Sequence, residues 1–379
     1  MYSFEQLSYF YKDKKILITG HTGFKGSWLC RVLTKMGAKV SGFALEPPTN
    51  PSIFNTLNIE NSINSYIGDV RDLKALKAVF EKECPEIVIH MAAQPLVRES
   101  YSNPVGTYET NVMGTVNVLE CCRNTKSVRS VVNVTTDKVY KNNEWERGYV
   151  ETDYLDGYDP YSNSKSCSEL VTHSYIQSFF NPETCKENLV DDLGPARIST
   201  CRAGNVIGGG DFATDRIIPD CFRAAANMED IIVRNPYSTR PYEHVLEPLF
   251  AYLMVAKEQF EDRKYMGNYN VGPDDDSNVN TGNLTDMFCE KWNKLSLSDC
   301  EGNPRPLLKW INKHDGGPHE AGFLKLNCDK LKKTFDWHPV WDINTTMDKL
   351  VEWYSVYLNK GDIEACTDRQ IEEFINSGR

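Results

Sequence analysis

Tyr161 and Lys165 stand four residues apart in Tyr161-Ser-Asn-Ser-Lys165, downstream of the cluster Thr135-Thr136-Asp137-Lys138. Both follow a glycine-rich turn near the N-terminus, Gly20-His-Thr-Gly23-Phe-Lys-Gly26. The spacing predicts that phenol and ammonium share one helix face, where the cation favours the phenolate and draws the tyrosine pKa towards working pH. Beside a nicotinamide, a phenolate removes an alcohol proton while hydride leaves the same carbon. The same spacing also occurs in plain solvent-facing helix pairs, so the pair takes its meaning from the elements around it.

Those elements begin with Lys15-Ile-Leu-Ile-Thr19, an apolar run suited to a buried parallel strand, and end with the helical stripe Trp28, Leu29, Val32, Leu33 and Met36. Strand, glycine turn and helix together read as a dinucleotide fingerprint. Gly20 allows the tight turn, Gly23 lets backbone approach a pyrophosphate at the helix N-terminus, and Gly26 lets helix and strand pack closely. His21, Phe24 and Lys25 flank the same turn and are expected cofactor contacts. The next strand, Lys39 to Leu45, ends at Ala44 where an acid ordinarily receives the adenosine ribose, with Glu46 two residues later. Glu46 reads equally as a ribose contact or a solvated loop charge, so this position does not separate NAD from NADP. Asp69 and Val70 end a third strand, with Asp69 placed for the adenine amino group. Ala92, Ala93 and Gln94 follow a fourth strand as small closing residues, and Thr135 ends the strand Val131 to Thr135 that delivers the active cluster. Ligands in open parallel sheets sit at the carboxyl ends of strands, which is where Thr136, Asp137 and Lys138 emerge.

The 379 residues predict a Rossmann-type doubly wound α/β sheet over residues 1–195 and a smaller α/β substrate-binding lobe over 196–379, with elements interleaved between them. A net charge of −11 argues against a nucleic-acid or anionic-membrane surface, so anionic ligands must meet local cations. The start lacks a signal-peptide pattern and no run reaches the ~18 apolar residues of a membrane span, which predicts a cytoplasmic protein. Twelve cysteines show neither C-x-x-C nor a Cys/His metal spacing, and Cys121-Cys122 are too close for an unstrained bridge, so no metal site and free thiols are expected.

Several long strings together resemble the extended short-chain dehydrogenase/reductases, and within them the nucleotide-sugar 4,6-dehydratases. They are Gly20 to Trp28, Glu46-Pro-Pro-Thr-Asn-Pro51, His90 to Arg98, Tyr108 to Thr115 and Arg202 to Asp211. They are most similar to the branch acting on CDP-glucose, since dTDP-glucose enzymes carry Thr-Asp-Glu where this chain has Thr136-Asp137-Lys138. Tyr242-Glu243 departs from the family's Trp-Gln. The resemblance implies an NAD-dependent conversion of CDP-glucose to a 4-keto-6-deoxy sugar. It implies Tyr161 as C4 base, Lys165 as its electrostatic partner, Thr136 hydrogen-bonding the reacting oxygen, and Asp137 as the acid that protonates the C6 hydroxyl. Lys138 is then a neutral C5 base, a cation beside the enolate, or a structural lysine, and its residue type alone does not choose.

In the second half, Asn205 follows the strand Ile198 to Arg202 and is placed for sugar or phosphate. Arg216 and Arg240 have the guanidinium forks that match two phosphates, and His244 and His319 read as pyrophosphate neighbours or structural histidines. Glu187 to Pro195 reads as a charged surface excursion. The rival readings are a nucleotide-sugar 4-epimerase, a dehydratase of another NDP-glucose, and a silent NAD-binding regulator. An epimerase needs no acid/base pair at C5 and C6. The helices from Pro104 and from Tyr161 resemble the pair that builds homodimers, or dimers of dimers, in this superfamily.

Overall fold

Lys15–Thr19 and Lys39–Ala44 lie side by side with every residue after the first lysine buried in each, and this pair starts a sheet that both halves of the chain complete. The computed structural model describes residues 4–183, 194–295, 306–313 and 322–378. His319 and most of the stretch from Glu187 to Pro195 lie outside the described residues. Among the described residues twelve strands follow in chain order: β1 Lys15–Thr19, β2 Lys39–Ala44, β3 Asn64–Ile67, β4 Ile87–His90, β5 Ser130–Thr136, β6 Arg197–Ala203, β7 Asn205–Ile207, β8 Ile231–Val233, β9 Thr239–His244, β10 Asn268–Val271, β11 Asn278–Asn280 and β12 Trp310–Asn312.

Seven of them form one parallel sheet in the order β10-β6-β5-β4-β1-β2-β3. The order reverses at β1, so helices cover both faces in the doubly wound Rossmann manner. Strands buried on both faces read as unbroken apolar runs, yet their side chains still alternate. Ile16, Ile18, Ile87, Ile89, Val132 and Val134 join the core on one face, whereas Leu17, Val88 and Val131 join the core on the other. β6 and β10 come from the second half of the chain, and β6 is bonded along the whole of β5, ending with Thr136 opposite Ala203. The helix Leu246–Glu261 packs on β5 and β6. The rest of the second half forms a three-stranded sheet, β11-β9-β7, and a β12-β8 pair. No helix among the described residues is long and apolar enough to cross a membrane, and the described cysteines are unbridged.

Two long helices beside β4 and β5 each contain a π turn. Pro104–Tyr108 runs through Glu109–Met113 into Gly114–Asn124, and Pro160–Tyr175 continues into Ile176–Phe180. Pro160 occupies the first turn, where its missing N–H costs nothing, and Asp159 caps by accepting from the Ser162 N–H.

Candidate active site

The glycine turn has the geometry of a phosphate cradle. Gly20 has φ +81°, and a Cβ there would lie 2.8 Å from the Ala92 nitrogen, so only glycine fits beneath the β4 loop. A Cβ on Gly26 would come within 2.2 Å of the Gly20 oxygen, which enforces the close helix–turn contact. Gly23 is the extended N-cap of the helix Phe24–Lys35 and no side chain caps it, leaving the first-turn N–H groups available to an anion. The residues therefore fit a dinucleotide.

The adenosine side is less well equipped. β2 ends at Ala44, and Glu46 is exposed in the loop beyond. His21 turns away from the turn, its Nε2 2.7 Å from Ser65 Oγ and its ring so close over Gly42 that a Cβ there would meet it at 2.2 Å. Burial pushes His21 down to about 4, so it is a neutral packing group at pH 7. Asp69 sits past β3 as expected, but its carboxylate is held by Arg71, whose Nε donates at 2.8 Å and whose backbone N–H donates at 2.9 Å. Val70 is buried against Gly114 and its carbonyl accepts from Asn117 Nδ2 at 2.8 Å. Gln94 braces its own loop, donating to Thr107 Oγ1 at 2.9 Å and accepting from the Leu96 N–H at 2.6 Å. Half-buried Ala92 and Ala93 lie between it and β4.

The helix that carries Tyr161 and Lys165 is fixed by a polar stripe at intervals of four. Ser164 accepts from Asn111 at 2.9 Å, Ser168 lies 2.9 Å from Thr115 Oγ1 and 3.1 Å from Asn133 Nδ2, and Thr172 accepts from Asn133 at 2.8 Å. Through Thr115 the seam reaches His90 and Thr19, tying the helix to β4 and β1. One residue further round, Glu169 forms a bidentate pair with Arg202 of β6 at 2.9 and 3.0 Å, and also accepts from Thr135 and Thr200. Arg202 in turn donates to Tyr140 Oη at 2.8 Å. Glu169 stands eight residues after Tyr161 and four after Lys165, so a carboxylate on the buried face was the available sequence signal for this anchor.

Lys165 does not reach the phenol in the way the spacing suggests. Its ammonium donates to the Val134 carbonyl at 3.1 Å, and burial, aided by Lys25, pulls it down to about 7. The Tyr161 phenol is pushed up to about 12, because burial outweighs the opposing pull of its polar neighbours, Thr136 first and Arg216 after it. The expected drop in the tyrosine pKa is therefore not found in the protein alone, where desolvation exceeds what Thr136 and Arg216 return.

At the carboxyl ends of β5 and β6 opens a cavity of about 680 Å³, in the range that accepts a nucleotide-sized ligand. Its wall brings together Thr135, Thr136, Asp137, Lys138 and Tyr161 from the active cluster, Phe24 and Lys25 from the glycine turn, and Asn205, Arg216 and Arg240 from the second half. Thr136 Oγ1 donates to Asp137 Oδ1 at 2.9 Å, while Asp137 Oδ2 has no partner. Burial raises the Asp137 carboxyl, with Lys138, Thr136 and Arg240 pulling the other way. Arg216 is held 2.9 Å from Asp211, which raises it further. Arg98 and Arg234 also line the wall, both near Asp215. Neither was singled out by sequence, because a lone arginine in the short helix Val97–Ser102 or in the bend after β8 carries no periodic signal.

His244 is not part of this wall. It is fully buried between Trp28 and Trp341, with ring centroids at 5.9 and 4.8 Å, and burial lowers it to about 3. Its strand neighbour Glu243 is the unexpected group. It is 2% exposed, neither carboxylate oxygen has a partner, and burial followed by Glu247 raises it well above the usual carboxylate range. Lys25, lowered to about 8 by burial, is the opposing charge that pulls it back down. Among the described residues no group of His, Cys, Asp and Glu is arranged for a metal.

Residues 17–350 match the family model described as GDP-mannose 4,6 dehydratase. The chain belongs to that family. A CDP-glucose 4,6-dehydratase of Salmonella typhimurium is 42% identical over 97% of this chain and 98% of its own length. A dTDP-glucose 4,6-dehydratase of Shigella flexneri is 24% identical over 91% of this chain and 94% of its own. Among solved structures, dTDP-glucose 4,6-dehydratase from Bacillus anthracis in complex with NAD superposes with a TM-score of 0.71 at 19% identity, covering 92% of this chain and 98% of that one. UDP-glucose 4-epimerase from Thermotoga maritima with UDP-glucose gives 0.71 at 18%, covering 90% and 99%. A dehydratase and an epimerase thus share this fold, and the residues in the cavity must separate such activities.

Proposed function

We propose that the protein converts CDP-D-glucose to CDP-4-dehydro-6-deoxy-D-glucose and water, with NAD held by the turn from Gly20 to Gly26 and by the Thr135 end of β5. When bound, the nicotinamide supplies the hydride acceptor at C4 and returns the hydride at C6, so net redox change is zero. Tyr161 takes the C4 hydroxyl proton, with Thr136 hydrogen-bonding the reacting oxygen and Lys165 anchoring the helix at Val134. A C4 ketone acidifies the C5 proton. Lys138 serves C5, as base when neutral and as a cation beside the enolate when charged, and Asp137 protonates the departing C6 oxygen. Arg216 and Arg240 face the two phosphates, joined by Arg98 and Arg234, and Asn205 faces the sugar.

One observation carries this reading. Asp137 stands in the cavity beside Thr136 and Tyr161 with a buried oxygen that no protein group uses, an acid that an epimerase does not need. The substrate assignment is supported by Lys138 and by the Salmonella relative. Incubation with CDP-, dTDP-, UDP- and GDP-glucose, read as the keto-sugar absorbance after alkali, should give product from CDP-glucose foremost. An epimerised sugar with no keto product would reject the reading.

The protein also forms a homodimer in this reading. The helices Pro104–Asn124 and Pro160–Tyr175 expose Val105 at 68%, Met113 at 50% and Leu170 at 56%, apolar side chains that a paired helix would cover. A monomeric mass at micromolar concentration would reject it. The unbridged cysteines fit a cytoplasmic setting.

A further inference from the structure

We propose that Asp211 is a positioning residue for the CDP-sugar: it holds the Arg216 guanidinium by one nitrogen against the cavity wall, so that the remaining donors are set for a phosphate oxygen before the substrate arrives. The proposal rests on the reading above that places Arg216 at the phosphates, and it adds the group that orients it.

The turn from Gly208 to Asp211 is built as a bracket. The Gly209 carbonyl accepts from Trp28 Nε1 at 2.9 Å, which ties the turn to the helix that follows the glycine-rich loop. The Asp211 carbonyl accepts from Tyr354 Oη at 2.7 Å, which ties it to the helix Ile343–Leu358. A Cβ on Gly209 would lie 2.1 Å from Trp353 Cγ, and Gly210 has φ +82° with Ile53 packed over it. Phe212, the next residue, sits among the rings of Phe222, Trp353, Tyr354 and Tyr357. The backbone that carries Asp211 is therefore wedged on several sides, and the arginine must follow the aspartate rather than the reverse.

Asp211 uses both carboxylate oxygens. Oδ1 accepts from the Ala213 N–H at 3.1 Å, and Oδ2 accepts from Arg216 Nη1 at 2.9 Å. The carboxylate is 6% exposed, whereas the guanidinium is 34% exposed and lines the cavity. Among the described residues the guanidinium donates through Nη1 alone, and its Nε and Nη2 have no protein acceptor. Arg216 also begins the helix Ile217–Asn227, whose N-terminus no side chain caps, and Ile217 and Ile218 line the cavity beside it. First-turn N–H groups and a fixed guanidinium edge favour the same ligand, an anion. A mobile arginine loses side-chain entropy when it grips a phosphate, and one already held loses less. Against this gain, the Asp211 charge itself repels a diphosphate. The two effects of Asp211 on diphosphate binding have opposite signs, so its role can be read from the direction of the change.

The test is CDP affinity by titration calorimetry, with NAD affinity measured on the same samples. Asp211→Asn has one oxygen for two donors, so either the Ala213 N–H or Arg216 loses its acceptor. CDP affinity should fall about tenfold, and KM for CDP-glucose should rise by the same factor while kcat changes by less than about threefold. Tighter CDP binding would show that only the Asp211 charge is felt, and equal losses of CDP and NAD affinity would show a displaced turn; either overturns the proposal. Arg216→Gln should weaken CDP at least as much, and adding Asp211→Asn to it should have no further effect, because the aspartate acts through the arginine. A second, independent loss in the double variant would overturn the proposal as well. If Asp211→Asn does not fold, Arg216→Lys decides: it keeps the charge without the planar fork, so CDP affinity should fall about tenfold, and wild-type affinity would overturn the proposal. If the wild-type protein binds dTDP, UDP or GDP in place of CDP and the variants show these same differences, the substrate assignment falls and the positioning role stands.

Discussion

Two buried glutamates, Glu169 and Glu243, show how one protein uses the same side chain for opposite ends. Glu169 has both oxygens filled, Oε1 by Thr135 and Arg202 and Oε2 by Thr200 and Arg202. Glu243 is as deeply buried and has neither oxygen filled. A satisfied buried charge fixes geometry, and an unsatisfied one is tolerated only where it can shed its charge or meet another group. The first is carried by the Tyr161 helix and ties it to β6, as scaffold. The second faces the charges of Lys25 and Asp137 at the edge of the proposed site.

The largest expected effect comes from breaking the satisfied member. Glu169→Ala leaves the Arg202 guanidinium buried without its partner and should cost about 3–5 kcal/mol in urea unfolding. It also frees the helix from β6, so activity should fall with stability. A loss below about 1 kcal/mol would erase the contrast between the two glutamates. Tyr161→Phe acts on the reacting side instead, removing a proton-transfer group while leaving the scaffold bonds intact. It should lower turnover by at least ~100-fold with CDP-sugar affinity nearly unchanged. Near-wild-type turnover would remove the tyrosine from the chemistry.

The contrast also explains what the sequence could and could not reveal. The glycine turn, the β5 cluster and the Tyr/Lys pair are local patterns, each confined to a few consecutive residues or one helical turn, and local patterns survive in a one-dimensional reading. The partners of those groups are set by pairings across the sheet. Val134 takes the Lys165 ammonium because the helix lies over β5, and no spacing within the helix shows that. His244 looks like a site residue by its place in a family-like string, yet its strand position turns it towards Trp28 and Trp341. Glu243, next to it, is met only as an odd residue in that string until β9 is seen beside β7.

The adenosine end gives a smaller and more local test. A carboxylate at the end of β2 would add charge-assisted hydrogen bonds to a ribose, and Ala44 provides none. Purified protein should gain activity on added NAD. Ala44→Asp should tighten NAD by on the order of 1–3 kcal/mol, measured by calorimetry. Protein that keeps a full complement of NAD through dialysis would contradict this.

The smallest effect sharpens the comparison from the side of Glu243. Its pKa is raised in the folded chain, so between the unfolded value near 4.3 and the folded value the native state holds more protons than the unfolded state. Stability contributed by that proton is present at low pH and declines as pH rises through the window. Lys25 from the glycine turn opposes the shift, whereas Glu247 at the start of the next helix and Asp137 after β5 reinforce it. Glu247, itself raised to about 8, has the same sign but keeps two backbone donors on Oε1, from Val340 and Trp341. Glu243→Gln removes the ionisation without changing shape. The variant should match wild type near pH 4.5 and become more stable by on the order of 1 kcal/mol by pH 8, since the wild-type chain alone loses stability as this carboxyl is forced to ionise on unfolding. Parallel stability curves across that range would mean that Glu243 is already ionised and paired with Lys25, and the two glutamates would then differ only in the distance to their cations.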